Sequence, residues 1–221
     1  EKLKCYPART VVVVVKTKKY ACPCCKEHMA QASANSILLT TISTPELLSF
    51  LIFSKFFQGL PFYRLEELFK LQGIDPSRTK MASWLIQVSQ KLQPIWNILE
   101  GWAMDSGYMT IDATHVQVLK EQDREPQTKS FMWARGSPEL GIVLFDYNVS
   151  GGGAVAKSLM GDFVGTLQGD AHRGYGALEK KFILLLGCMM HARRRFHKAW
   201  LEVKKQPGLA LNALGMFKKL Y

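Results

Sequence analysis

Residues 168–196 read QGDAHRGYGALEKKFILLLGCMMHARRRF, which sets an acid, an apolar run and a basic segment in close succession. Asp170 follows a short apolar segment and lies among glycine and alanine, as expected where a strand ends in a turn. The apolar run over 182–186 predicts a second strand, and the helix after it carries His191 and three consecutive arginines. A carboxylate suits a divalent cation and arginines suit a polyanion. The stretch therefore favours a metal-dependent enzyme that acts on a phosphate backbone.

Strands and helices alternate around this stretch, from residue 108 onward. We predict strands over 109–119, 129–135 and 141–147, then a helix over 154–163, a strand over 164–168, a helix over 174–181, a strand over 182–186 and a helix over 189–205. Short turns join the first three strands, whereas helices join the later ones. This order predicts an α/β domain with a mixed sheet and flanking helices, and an α+β chain overall.

Residues 44–104 are predicted to be helical. Thr44, Pro45 and Glu46 offer a cap, a first-turn proline and an early acid for a helix over 45–57. A second helix over 62–71 and a third from residue 78 follow, with Gly73 between them. Three short helices of this kind fit a helix-turn-helix that binds DNA, although any three-helix bundle would produce the same pattern.

Residues 1–43 are predicted to form a small β-rich segment and a linker. The run of valines within 10–16 predicts a strand, and Cys22 and Cys25 have the spacing of half a zinc site. His28, Cys24 and Cys5 are alternative further ligands, and an incomplete site is the competing interpretation. Zn²⁺ is therefore an expected cofactor only if other ligands complete the set.

The charge of +11 is concentrated at the two ends of the chain. Residues 1–35 carry seven Lys or Arg against two acids, and residues 190–221 carry eight against one, whereas the middle carries 14 against 15. Clustered basic residues suggest a polyanion partner such as DNA, and solvated basic faces are the alternative. No apolar run is long enough to span a bilayer, and the polar start lacks a signal-peptide pattern. The three cysteines within 22–25 do not form a disulfide framework, so we expect a cytoplasmic, nucleoid-associated protein.

Two acids and one basic helix are the candidate site. Asp112 interrupts an apolar strand, where a buried carboxylate needs a partner or a cation. Together with Asp170 it is predicted to bind Mg²⁺ or Mn²⁺, and ordinary surface or capping acids are the alternative. In the last helix an apolar stripe runs from Met189 to Val203, and basic side chains point away from it. The candidate phosphate contacts are His191, Arg193, Arg194, Arg195 and Lys198. The histidine and the three arginines could instead orient a carboxylate, and a solvated helix face is the remaining alternative.

Several short motifs occur together in order along the chain. They are KYAC at 19–22, SKF at 54–56, GLPFYR at 59–64, GI at 73–74, IDAT at 111–114, MW at 132–133, LQGD at 167–170 and HARRRF at 191–196. With these motifs the chain resembles a bacterial transposase of the insertion sequence 66 family, a DDE-type recombinase. The resemblance implies a zinc-binding segment (1–43), a helical DNA-binding region (44–104) and a ribonuclease H-like catalytic domain (105–221).

The resemblance also implies roles for individual residues and partners. Asp112 and Asp170 would be the first two acids of the metal-binding triad, and Cys22 and Cys25 would be one cysteine pair of the zinc site. The implied reaction is Mg²⁺- or Mn²⁺-dependent cleavage and transfer of DNA strands at transposon ends. Homo-oligomerisation is a further expectation.

The chain departs from the family pattern at several positions. A third acid after the arginine-rich helix is not found, an upstream cysteine pair is absent, and Ala113 stands where the family has glutamate. These departures predict a transposase fragment, truncated at both ends, in which catalysis is impaired. Three rival hypotheses remain. One is a non-catalytic DNA-binding protein that uses 44–104 and the basic ends, and another is a small nuclease with Glu202 or Asp162 as its third acid. The last is an unstable product of a decayed gene.

Overall fold

A computed structural model describes residues 10–25, 29–31, 43–170, 173–178 and 183–220. The chain divides into two compact units, Glu1–Pro94 and Ile95–Tyr221. Cys5, His28 and most of the predicted linker lie outside the described residues. The division into 1–43, 44–104 and 105–221 therefore remains a prediction. No helix within the described ranges is long and apolar enough to cross a membrane.

The first unit contains a short hairpin and a helical bundle. Strand β1 (Lys19–Ala21) pairs antiparallel with β2 (Met29–Gln31). The strand predicted over 10–16 is wrong, because residues 10–18 form no strand and the five valines at 11–15 are all exposed. Valine favours extended backbone, but a strand also needs a neighbour, and pairing in this hairpin begins only at Lys19.

The helical bundle follows the predicted boundaries closely. Helix α1 (Pro45–Ile52) continues as a π-helix (Phe53–Phe57), α2 occupies Phe62–Leu71 and α3 occupies Arg78–Met104, with Pro94 inside it. Thr44 caps α1 by accepting a hydrogen bond from the Leu47 amide at 3.4 Å. The buried core of the bundle consists of Leu48, Leu51, Leu65, Phe69, Met81, Trp84, Leu85 and Val88.

The turn between α2 and α3 has a glycine-dependent geometry. Gly73 has a φ of +79°, a left-handed conformation that glycine adopts without strain. Its amide donates to the Lys70 carbonyl, and the next amide, that of Ile74, donates to the Phe69 carbonyl. This is the double hydrogen bond of a Schellman motif, and Ile74 packs on the bundle core as the motif requires. The turn fixes where α3 begins.

The second unit is built on a five-stranded mixed sheet. Its strands are β3 (Tyr108–Gln117), β4 (Lys129–Ser137), β5 (Ile142–Asn148), β6 (Gly165–Gly169) and β7 (Ile183–Gly187), in the spatial order β5-β4-β3-β6-β7. Strands β3, β4 and β5 pair antiparallel, whereas β6 and β7 extend the sheet in parallel from β3. The predicted mixed α/β fold is confirmed, and this strand order is consistent with a ribonuclease H-like domain.

Besides the last turns of α3, the described residues of the second unit form four helical segments. They are α4 (Gly153–Met160), a 3₁₀-helix (Arg173–Leu178), α5 (Met189–Glu202) and α6 (Leu209–Leu220). Helix α6 was not predicted. Its Phe217 packs on Phe196 of α5 at a ring distance of 5.9 Å. The apolar stripe of α5 consequently faces α6 and solvent, and α5 has no fully buried residue.

Only one face of the sheet carries a full core. Met109 and Ile111 of β3 point into this core, where they pack with Trp133, Leu167, Tyr175 and residues of α4. The next residues in the strand, Thr110 and Asp112, point to the opposite face because side chains alternate along a strand. That opposite face also presents Phe145 and Leu184, which are 64% and 61% exposed. The expectation that Asp112 is buried is therefore wrong.

A buried arginine joins the sheet to the last turns of α3. Arg135 of β4 is 2% exposed, and its Nε lies 2.7 Å from Oδ2 of Asp146. It also forms an ion pair with Glu100 and donates to the Leu159 carbonyl at 3.0 Å. Burial opposes the charged form, but the hydrogen bonds and charges of the two carboxylates outweigh it and raise the pKa of Arg135. The cation is thus fully partnered inside the domain.

Candidate metal and nucleic-acid site

The two predicted acids lie on neighbouring parallel strands. Thr110 of β3 is paired with Gln168 of β6. Asp112 is two residues beyond Thr110, and Asp170 is two residues beyond Gln168, so both carboxylates reach the same face of the sheet. Their convergence is therefore a consequence of strand register. Asp112 also accepts a hydrogen bond from the Ala113 amide at 3.0 Å.

His191 is the third member of the cluster. The amide of Cys188 donates to the Gly169 carbonyl at 2.7 Å, which ties the start of α5 to the end of β6. His191 lies in the first turn of that helix. Ligand atoms of Asp112, Asp170 and His191 all lie within 4.8 Å of one another. From the sequence, His191 was predicted to contact a phosphate or to orient a carboxylate, and its place in a possible metal site was not predicted.

Asp112, Asp170 and His191 offer the kinds of ligand atom that a divalent cation binds. Nδ1 of His191 is buried and has no hydrogen-bond partner among the residues that the structure describes. An unsatisfied buried nitrogen typically costs about 1–3 kcal/mol, which a bound ligand would relieve. Two carboxylates suit Mg²⁺ and Mn²⁺, and an imidazole is a common additional metal ligand. The residues present therefore fit a divalent cation.

The cluster opens into a cleft of about 220 Å³. Thr110, Gln168 and Cys188 contribute to its lining, together with the three cluster residues. The Tyr108 hydroxyl donates to the side-chain oxygen of Gln168 and fixes that amide in the wall. A cleft of this size admits a small polar group such as a phosphate with its hydration water.

A glycine and a tyrosine support Asp170 from the core side. A Cβ on Gly169 would lie 2.9 Å from Cε2 of Tyr175, so only glycine fits there without displacing the ring. Tyr175 is 6% exposed and meets Trp133 edge to face at 6.4 Å. Burial, followed by the charges of Asp170 and Asp112, raises the pKa of the Tyr175 hydroxyl. The phenol therefore stays neutral beside the two acids.

The basic residues of α5 divide into two groups by helical geometry. Residues three, four and seven positions after His191 lie on the same side of the helix, and these are Arg194, Arg195 and Lys198. Arg193, two positions after His191, points to the other side. All four cations are exposed, and none takes part in an ion pair within the described part of the chain. Three free cations thus share the side of α5 that carries the cluster histidine.

The predicted zinc ligands and the alternative third acids do not form a metal cluster among the described residues. In the turn after β1, the backbone amides of Cys25 and Cys24 hydrogen-bond to the Cys22 sulfur and lower the pKa of its thiol. Among the described residues, however, Cys22, Cys24 and Cys25 are not part of any group of three or more His, Cys, Asp or Glu that could hold a metal ion. The zinc site therefore stays a prediction. Glu202 and Asp162, the alternative third acids, are exposed and do not belong to the Asp112 cluster.

Comparisons with known proteins give one family and two uncharacterised relatives. The family model described as Transposase IS66 family matches residues 40–221. The uncharacterised protein y4qI of Sinorhizobium fredii (strain NBRC 101917 / NGR234) is 29% identical over 215 residues, covering 89% of this chain and 39% of the relative. The uncharacterised protein y4hP of the same strain is 24% identical over 209 residues, covering 89% of this chain and 37% of the relative. The chain thus spans about two fifths of the length of these relatives. No solved structure matches it.

Proposed function

The chain belongs to the transposase IS66 family, and on that premise we propose that its second unit is the metal- and DNA-holding core of a transposase. The observation that carries the proposal is the convergence of Asp112, Asp170 and His191 beside the free cations of α5. The substrate class is duplex DNA at transposon ends, and the reaction class is phosphoryl transfer.

Each member of the cluster has a role in this proposal. Asp112 and Asp170 would hold a divalent cation through carboxylate oxygens, and His191 would complete the set through a ring nitrogen. A divalent cation bound there would activate a water molecule or a 3′-hydroxyl for attack on a phosphodiester and would stabilise the charge that develops. The close packing of the Tyr175 ring on Gly169 would fix the end of β6, and with it the position of the next residue, Asp170.

The cations of α5 bring the DNA backbone to the cluster. Without a cation, two carboxylates repel a phosphate, so binding near them requires positive charge close by. Arg194, Arg195 and Lys198 supply that charge on the side of α5 that carries His191. Arg193 contributes less, because it points away from the cluster.

We expect this chain to retain DNA binding but to catalyse strand cleavage poorly. The family pattern calls for three acids, whereas His191 occupies the third position in the cluster formed by the described residues. Catalysis by paired ions depends on positioning both of them, so a set with two carboxylates is expected to support cleavage poorly. The cytoplasmic location, homo-oligomerisation and Zn²⁺ in the N-terminal segment remain predictions.

Duplex binding measured with and without Mn²⁺ tests the proposal. Fluorescence anisotropy on a labelled duplex compares the wild-type chain with the Asp112→Asn/Asp170→Asn variant. Without metal, removal of two carboxylates about 6 Å from a phosphate should strengthen binding about three-fold at ~0.1 M salt. With Mn²⁺, wild-type binding should strengthen and the variant should not respond. Equal affinities under both conditions would favour the rival hypothesis of a non-catalytic DNA-binding protein.

Single arginine substitutions provide a matched control. Arg194→Gln and Arg195→Gln should each weaken binding and reduce the slope of log K against log salt by about one. Arg193→Gln removes the same charge from the other side of α5, and we expect a smaller change in that slope. Equal slopes for all three variants would show that α5 acts only through its net charge.

A further inference from the structure

We propose that the carboxamide of Gln168 contacts a DNA phosphate beside the Asp112 cluster, and that the Tyr108 hydroxyl positions this carboxamide. Nε2 of Gln168 donates a hydrogen bond to a non-bridging oxygen of the phosphate. This role rests on the proposed function, which supplies DNA as the partner. Gln168 touches the substrate, whereas Tyr108 acts only through Gln168.

The register of the sheet places Gln168 and Tyr108 on the face that carries the acids. Gln168 is two residues before Asp170 on β6, and it is paired with Thr110, which is two residues before Asp112 on β3. Residues two apart in a strand point to the same face and lie about 7 Å apart, at about 3.3 Å per residue. Tyr108, two residues before Thr110, shares that face. The amide of Gln168 therefore lies beside the carboxylates without belonging to their cluster.

The hydrogen bond from Tyr108 determines which end of the amide faces the acids. The Tyr108 hydroxyl donates to Oε1 of Gln168. Tyr108 is paired with Thr166, which precedes Gln168 along β6. The amide oxygen is therefore drawn away from Asp170, and the NH₂ group is left toward the acids and the cleft with its two N–H donors.

The donors of this amide are unused within the described part of the chain. Gln168 is half-buried and lines the cleft, and its NH₂ group forms no hydrogen bond with a described residue. The neighbouring hydroxyl of Thr110 already has a partner, because it donates to the Gly136 carbonyl at 3.4 Å. Gln168 thus adds an available N–H donor to the wall of the cleft.

An uncharged donor suits a phosphate that lies beside two acids. A lysine or arginine as close to Asp112 and Asp170 would form ion pairs with them and would oppose the binding of a divalent cation. A glutamine amide offers a hydrogen bond without adding charge, and glutamine is among the side chains that contact DNA phosphates. Because every nucleotide carries the same phosphate, this contact is independent of the base sequence.

Duplex binding and Mn²⁺ binding by Gln168→Met test this role on the full chain. Methionine is also unbranched, and it removes both N–H donors. Fluorescence anisotropy gives the affinity for two unrelated duplexes with and without Mn²⁺, and calorimetry gives the Mn²⁺ affinity without DNA. Gln117→Met is the matched control, because the Gln117 amide donates to the Pro126 carbonyl at 2.8 Å, five residues beyond Asp112 on β3.

The expected loss of affinity depends on the metal but not on the sequence of the duplex. With Mn²⁺, Gln168→Met should bind both duplexes about ten-fold less tightly than the wild type does, as expected for one lost hydrogen bond to a charged group. Without metal the two proteins should differ little, because the acids then repel the phosphate. The slope of log K against log salt should stay the same, since a neutral side chain releases no counterions. Mn²⁺ affinity without DNA should also be unchanged, and Gln117→Met should match the wild type throughout.

A double-mutant cycle tests the positioning role of Tyr108. Tyr108→Phe keeps the ring and releases the amide, so the affinity for duplex in the presence of Mn²⁺ should fall about two- to five-fold. In the Gln168→Met background the same substitution should have no further effect. Additive losses would show that Tyr108 does not act through Gln168.

Three results would overturn the phosphate contact. They are an unchanged duplex affinity of Gln168→Met with Mn²⁺, a loss confined to one duplex, and a lower Mn²⁺ affinity without DNA, which would mean that the amide orients a carboxylate. Urea unfolding checks that each variant is folded. Gln168→Asn, whose shorter amide reaches neither Tyr108 nor the phosphate, should show the same Mn²⁺-dependent loss and replaces Gln168→Met if methionine disturbs the fold.

Failure of this contact and failure of the proposed function give different results. Each of the three results leaves the proposed metal and DNA site intact, provided that the wild-type chain binds duplex more tightly with Mn²⁺. Absence of duplex binding by the wild type, or of any response to Mn²⁺, would refute the proposed function and the phosphate contact together.

Discussion

Gly169→Ala should damage the metal site more than it damages the fold. The added Cβ would lie 2.9 Å from Cε2 of Tyr175 and 3.3 Å from Cγ2 of Ile111. Carbon atoms pack best at about 3.5–4.0 Å, so the ring or the strand must move by roughly 0.5–1 Å. Overpacking of this kind costs about 1–3 kcal/mol of unfolding free energy. Because Asp170 is the next residue, its carboxylate should move with the strand.

The expected consequence is a loss of Mn²⁺ affinity. Disturbing the residues that support metal ligands typically costs about 10- to 100-fold in affinity. Mn²⁺ titration by calorimetry measures that loss, and urea unfolding of the same samples measures the change in stability. Tyr175→Phe keeps the ring in place, so it should retain most of the Mn²⁺ affinity.

Gly151→Ala is the matched control. Its Cβ would lie 2.3 Å from Cε1 of Phe131, a closer clash between a glycine and an aromatic ring away from the acids. We expect this variant to lose at least as much stability as Gly169→Ala and to keep its Mn²⁺ affinity. If Gly169→Ala binds Mn²⁺ as well as the wild type does, or if Gly151→Ala loses as much affinity, the positioning role assigned to Gly169 is wrong.

Three other predictions concern stability and reactivity. Arg135→Met leaves two carboxylates without their buried cation, and urea unfolding should show a loss of about 3–5 kcal/mol, whereas an unchanged midpoint would contradict the account of this ion pair. The hydrogen bond from Tyr147, followed by those from its other neighbours, lowers the pKa of Glu121. The ionised Glu121 carboxylate therefore contributes its full stabilisation above the ordinary carboxyl pKa of about 4.3. This stabilisation is lost as the pH falls through the lowered pKa of Glu121 in the folded protein. Melting curves of Glu121→Gln should accordingly depend less on pH in that acidic range than those of the wild type, and identical profiles would refute this. Backbone hydrogen bonds lower the pKa of Cys22, so at neutral pH it should react with iodoacetamide faster than Cys24 does, as mass spectrometry of short time points can determine.

The sequence predicted where helices and strands lie better than it predicted which of their faces are buried. The bounds of α2 were predicted to the residue, because Pro61 and Gly73 delimit it. The alternation of strands and helices also indicated the mixed sheet. Alternation along β3 separates two faces, but it does not tell which face a helix covers. Asp112 was therefore predicted to be buried, although it lies on the exposed face.

Contacts distant in sequence explain what was missed at the site. His191 reaches the two acids because β7 lies parallel to β6 and α5 starts beside Gly169. Neither pairing is encoded by local spacing, so the histidine was grouped with the arginines that follow it. Helix α6 was not predicted. Of its apolar residues only Phe217 is buried, and this residue packs on α5 and not on the sheet.

Mn²⁺ binding tests the central claim that Asp112, Asp170 and His191 form one metal site. Calorimetric titration of the wild-type chain should detect a saturable site, and Asp112→Asn, Asp170→Asn and His191→Ala should each weaken or abolish it. Glu202→Gln, which removes an exposed acid outside the cluster, should bind Mn²⁺ as the wild type does. Binding that survives all three cluster substitutions, or no specific binding by the wild type, would contradict the claim.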